Sequence, residues 1–126
     1  MNYKTLIDEF MNNFPAIKES AEQDTDWIAD EWNEEPLVHV FVGDHFTPYL
    51  IEQLSILQDK DLLNRIFEFL ESMAISEDTS VREVLTDSIL EVLGDDKQIL
   101  ERARAFMRSN TLRMSHEVEK SWRREK

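Results

Sequence analysis

The sequence contains no cysteine, and only two glycines and three prolines among 126 residues. Without cysteine there is no disulfide, no thiolate metal site and no cysteine nucleophile. So few glycines and prolines cannot supply the many tight turns of an all-β fold. No apolar run approaches the ~20 residues of a membrane span, and no charged start followed by an apolar stretch opens the chain. These absences predict a soluble, cytoplasmic protein with no membrane contact. No H-E-x-x-H pair, G-x-S-x-G elbow or glycine-rich phosphate loop occurs. No metal, no cofactor and no enzymatic activity are therefore expected.

What the chain does have is apolar residues at helical spacing. The centre is residues 61–94. There Leu62, Leu63, Ile66, Phe67, Phe69, Leu70, Met73 and Ala74 form one stripe, and Val81, Val84, Leu85, Ile89, Val92 and Leu93 form another. Between them Ser76-Glu77-Asp78-Thr79-Ser80 reads as a turn, with Ser80 and Glu83 as a capping box. Gly94 reads as the left-handed residue that closes the second helix.

Upstream, Tyr3, Leu6, Ile7, Phe10, Met11 and Phe14 predict a first helix, and Phe14-Pro15 joins it to a second. The run Leu37–Val42 reads as buried extended chain or a short helical turn, because a lone strand finds no partner. Gly43-Asp44 reads as a turn, and Thr47-Pro48 as the start of a helix reaching Gln58. Downstream, Asp95 or Asp96 caps a helix carrying Ile99, Leu100, Ala103, Phe106 and Met107. After a break at Ser109-Asn110-Thr111, a last helix from Leu112 to about Arg123 buries at most Leu112, Ser115, Val118 and Trp122. The pattern predicts one all-α domain over residues 1–126. It would hold six to eight short helices in an irregular antiparallel array resembling a short helical repeat.

The net charge is −13, and it is unevenly spread. Residues 1–50 carry 11 acids and 2 bases, residues 51–100 carry 12 and 4, and residues 101–126 carry 4 and 8. From Glu19 to Glu35 there are eight carboxylates and no Lys or Arg. Direct nucleic-acid binding is disfavoured, since phosphate neutralisation dominates it, whereas a basic protein partner is favoured. The candidate partner-binding residues are Asp24, Asp26, Asp30, Glu31, Glu34 and Glu35, with Trp27 as aromatic anchor and Asp44 and His45 nearby. Solvated carboxylates with Trp27 and Trp32 covering the core form the alternative reading. The bases of the C-terminal quarter either fold back on the acidic segment or form a second docking surface, and folding back is the more economical.

Several stretches carry a resemblance: Leu37–Asp44, Ile66–Met73, Ser88–Leu93, Met107–Leu112 and His116–Trp122. Together they resemble a family of small, uncharacterised, all-helical bacterial proteins, with Met107-Arg108-Ser109 standing where that family has M-G-P. Its members are similar in size and acidity to immunity proteins of toxin–immunity systems, including contact-dependent inhibition. The resemblance implies an inhibitor that blocks the cleft of a cognate basic toxin domain, a nuclease, and it implies no catalytic residue; the oligomeric state is left open, with a monomer favoured. A helical adaptor or regulatory module with a host protein partner is the alternative. An enzyme using His39 or His45 ranks last.

Overall fold

The computed structural model describes residues 1–24, 26–28 and 37–124. Among these it holds a single all-α domain of seven helices and no strand. A 3-10 turn at Tyr3–Thr5 leads into α1 (Leu6–Asn13). Phe14 leaves helical geometry, and Pro15 opens α2 (Pro15–Gln23) at its first position, where a missing N–H costs nothing. The remaining helices are α3 (38–56), α4 (Lys60–Ala74), α5 (79–93), α6 (Lys97–Phe106) and α7 (Ser109–Ser121).

The largest departure from the sequence reading lies in α3. Of the two readings of Leu37–Val42 the helical one holds and the extended one does not, and the chain does not turn at Gly43: residues 38–46 are the first half of one continuous helix. The buried positions explain it: Val38, Phe41, Val42, His45 and Phe46 fall at i, i+3, i+4, i+7 and i+8. Thr47-Pro48 is consequently no helix start. Val42–Phe46 is a wide π turn just ahead of Pro48, where the proline ring would otherwise press on the carbonyl four residues back. A second π turn, Leu85–Leu90, interrupts α5. The two segments meet, with the buried Thr47 hydroxyl donating to the Ser88 carbonyl at 2.7 Å.

Aromatic rings bind the first half of the chain to the centre. The Phe10 ring lies 4.7 Å from both Phe46 and Phe69, and 6.1 Å from Phe41. Phe14 meets Phe69 edge-on at 5.5 Å. One side chain of α1 thus touches α3 and α4 together, and complete burial of such a ring contributes about 1.5–3 kcal/mol. The N-terminus is tied down by polar contacts, as the Tyr3 amide donates to Asp78 and the Ser76 hydroxyl donates to the Met1 carbonyl. On its other sides α4 packs against α5, α6 and α7.

Helix caps differ in detail from the sequence reading. Asp78, not Ser80, caps α5 by accepting from the Ser80 amide at 3.0 Å. Asp96 caps α6, accepting from the Gln98 and Ile99 amides. α7 begins at Ser109 rather than Leu112, and the residue before it, Arg108, makes no side-chain cap. The cap comes from α4 instead. Glu71 accepts from the Thr111 amide and hydroxyl, both at 2.9 Å, and from the Asn110 side chain at 2.7 Å and its amide at 3.3 Å.

Gly94 is also not what its position suggested. Its φ of −71° is right-handed, open to any residue. Its value is space: a Cβ there would collide with the Glu119 carboxylate and the Arg124 guanidinium. The left-handed positions belong to Leu57, after α3, and Arg123, after α7.

Two stability predictions follow from these contacts. Burial pushes the Glu71 carboxyl up, but hydrogen bonds from Asn110 and Thr111 outweigh it and hold the pKa below the ordinary value. A lowered folded pKa stabilises above the unfolded value of about 4.3, and that contribution is lost as pH falls through the folded one. Glu71→Gln should therefore cost about 1 kcal/mol at pH 7, with the melting curves of variant and parent converging towards pH 3. Gly94→Ala would ordinarily stabilise a right-handed position by about 0.4–1 kcal/mol. Here the collision should reverse the sign, costing about 1–3 kcal/mol in denaturant titrations.

Candidate partner-binding surfaces

The structure separates the predicted surface into a core part and a solvent part. Asp24, Asp26 and Asp44 are exposed, and Asp24 accepts from the Asp26 amide at 3.3 Å. Trp27 is half-buried. Its ring meets Phe41 edge-on at 5.2 Å, and its indole N–H donates to the Ala21 carbonyl at 3.1 Å. Much of that ring is therefore committed to the core edge. Asp30, Glu31, Glu34, Glu35 and Trp32 lie outside the described residues.

His45 belongs inside the protein. It is 6% exposed, stacks obliquely on Phe41 at 5.6 Å, and holds its Nδ1 2.9 Å from the Ser20 hydroxyl. Phe41 thereby brings together Trp27 and His45, two predicted site residues 18 positions apart in the chain. His39, by contrast, is exposed, with Nδ1 2.7 Å from the Ser88 hydroxyl. Such a contact could activate a hydroxyl. Among the described residues, however, no carboxylate hydrogen-bonds either imidazole to orient it as a general base.

The C-terminal bases do not fold back on the described part of the acidic segment. Arg102 donates to the Leu54 and Ser55 carbonyls at the end of α3, complementing the negative end of that helix. Arg108 pairs with Glu68 at 2.7 Å, and Arg113 lies 3.8 Å from Glu117. Arg104 donates to the Ser115 hydroxyl. None of these contacts reaches the described residues of the acidic segment. Exposed Glu19, Glu22, Asp24, Asp26 and Asp44 have no ion pair among the described residues.

The most elaborate polar cluster closes α7. Glu119 is only 4% exposed, and Arg124 grips both of its oxygens at 2.9 and 2.6 Å. Those bonds raise the guanidinium pKa above its ordinary value against a lowering by burial, with the Glu119 and Asp95 charges adding to the rise. Backbone geometry delivers Arg124 there. The Arg123 amide donates to the Lys120 carbonyl and the Arg124 amide to the Glu119 carbonyl, which is a Schellman closure. Arg123 occupies its left-handed position at φ 57°, where glycine is usual. The helix ends at Ser121, so Trp122 stands clear of the core, 56% exposed and with Arg124 5.7 Å from its ring centroid.

The sequence reading buried Trp122 because it is in phase with Val118. Phase alone could not show that the helix stops one residue short of it. Arg123→Gly should relieve the left-handed strain and raise stability by about 1 kcal/mol, read as a higher melting temperature; a lower one would mean that the Arg123 side chain contributes more than its backbone costs.

No curated protein and no solved structure matches the chain. A family model described as a domain of unknown function, DUF7674, matches residues 7–123. With nearly the whole length covered, the chain belongs to the DUF7674 family.

Proposed function

We propose that this chain is an immunity protein that binds a cognate basic toxin domain, a nuclease, and blocks its active-site cleft. One observation carries the reading: acids and bases are segregated. The described C-terminal bases whose contacts are resolved engage a helix end (Arg102), the Ser115 hydroxyl (Arg104) and the acids Glu68, Glu117, Glu119 and Asp95, whereas the carboxylates around α2 and the π turn of α3 face water unpaired by any described base. Like charges crowded without counter-charge destabilise a fold, and a complementary basic surface would relieve that repulsion.

A nuclease cleft is positive because it must hold phosphates. Carboxylates spread over one face can occupy the same positions and exclude the nucleic acid. Asp24, Asp26 and Asp44 would present the charge. The exposed side chains of Ile28 and Val40 would supply apolar contact beside them. Trp27 and His45 would act from beneath, by holding that surface on Phe41.

Growth rescue tests the proposal directly. The C-terminal domain of the protein encoded immediately upstream is expressed with and without this chain. Toxicity that only this chain relieves supports the reading, and a harmless neighbour or unrelieved toxicity moves it to a helical adaptor with a host partner. With the toxin in hand, Asp26→Lys combined with Asp44→Lys should slow association about tenfold at low salt and change dissociation little. Association that ignores both charge reversal and ionic strength would reject the phosphate-mimic mechanism.

A further inference from the structure

We propose that the groove between α5 and α7, walled by Trp122 and Val92, is a docking site for an arginine-bearing segment of a basic protein partner. The groove shares no lining residue with the candidate α2 surface, and the proposal stands or falls independently of the immunity reading. Its main depression, of about 240 Å³, is lined by Asp87, Glu91, Val92, Asp95, Trp122 and Arg124. A neighbouring depression of about 170 Å³ shares Glu91 and continues along α7 past Met114 and Val118. Together they make a channel for an extended segment.

Three features point to the same occupant. The first is the wall: Trp122 and Val92 are both exposed, so a large aromatic face and an aliphatic one meet water side by side. The second is the rim. Asp87 and Glu91 stand one turn apart on α5, a like-charge pair that weakens a helix, and neither has an ion pair among the described residues. Lys120 and Arg123, though near in sequence, do not line either depression.

The third feature is Arg124, which shows what fits. Its guanidinium sits over the Trp122 ring while donating to Asp95 at 2.9 Å, so one arginine already uses an aromatic face and a carboxylate of this groove together. Arg124 is paired with Glu119 and Asp95, however, and reaches Glu91 only at its backbone carbonyl, at 3.3 Å, so the Asp87 and Glu91 carboxylates have no cation among the described residues. A second guanidinium from a partner would complete the pattern by lying against Trp122 and bridging those two acids. The rim charge opposes nucleic acid.

The test uses the full chain and the capped tripeptide N-acetyl-Arg-Gly-Arg-amide. The indole N–H resonance of Trp122, assigned by Trp122→Phe, is followed by NMR during titration at low salt. The expected result is a saturable shift at Trp122. Combining Asp87→Asn with Glu91→Gln should weaken the interaction about tenfold, whereas Glu19→Gln with Glu22→Gln should change it less than about twofold. A missing shift, or equal weakening by both variants, would overturn the proposal, the latter because it signals a diffuse response to net charge. A Trp122 shift that follows protein concentration alone would assign the groove to a second copy of the chain. A chain ending at Arg124 that binds the peptide more than about tenfold tighter than the full chain would assign it to the chain's own last two residues.

Discussion

The fold depends on the burial of Phe10 between α3 and α4. α1 is eight residues long, too short to persist in water on its own helical propensity. It is held because one ring on it meets rings from two other helices. The same contact fixes α3. Phe41 and Phe46 reach the ring from one helix, five residues apart, with the wide turn at Val42–Phe46 between them. α3 then carries His45 inward and Asp44 outward, which decides what the candidate surface can contain.

Short helices impose a second constraint, since every end leaves backbone groups without partners. This protein closes several of its ends with charged side chains, some of them from other helices. Glu71 on α4 caps the start of α7, Asp78 caps α5 while holding the Tyr3 amide, and Arg102 on α6 takes the last carbonyls of α3. Arg82 on α5 likewise donates to the Ser76 carbonyl just beyond α4. Such charges do structural work between helices, and bases so occupied cannot neutralise distant carboxylates. The segregation of charge over the surface is thus partly a consequence of how the helices are terminated.

Helix identity was legible in the sequence wherever the stripe was long. The eight apolar positions of α4 and the join at Phe14-Pro15 stand where spacing and proline chemistry put them. The reading stumbled where a local signal competed with the tertiary fold. Leu37–Val42 is rich in β-branched residues, and its helical phase becomes visible only when His45 and Phe46 are included. Thr47-Pro48 has the chemistry of a helix start, but a π turn upstream lets the helix run through it. Gly94 looked like a left-handed cap because glycine usually is one, while the actual requirement came from Glu119, 25 residues away and silent in a local window. The candidate site was less legible still, since exposure depends on where helices end: Trp27, readable as anchor or as core cover, is half-buried, and Trp122, read as buried, is exposed.

The contrast between these two rings bears on how an acidic helical protein recognises a partner. Carboxylates alone give long-range attraction that is screened within about 10 Å at 0.1 M salt and discriminates poorly among basic surfaces. Selectivity needs a rigid shape beside the charge. Trp27 is anchored by Phe41 and Ala21, so it stiffens the surface bearing Asp24 and Asp26 more than it reaches out from it. Trp122 is held from below by the closure at Arg123 and Arg124, and presents its ring next to Asp87 and Glu91. The strain accepted at Arg123 places that ring and the Arg124 guanidinium in a fixed relation that a frayed helix end could not maintain. The two halves of the molecule thus combine charge and aromatic rings differently: charge over a buried anchor at α2, and charge around an exposed one at the end of α7.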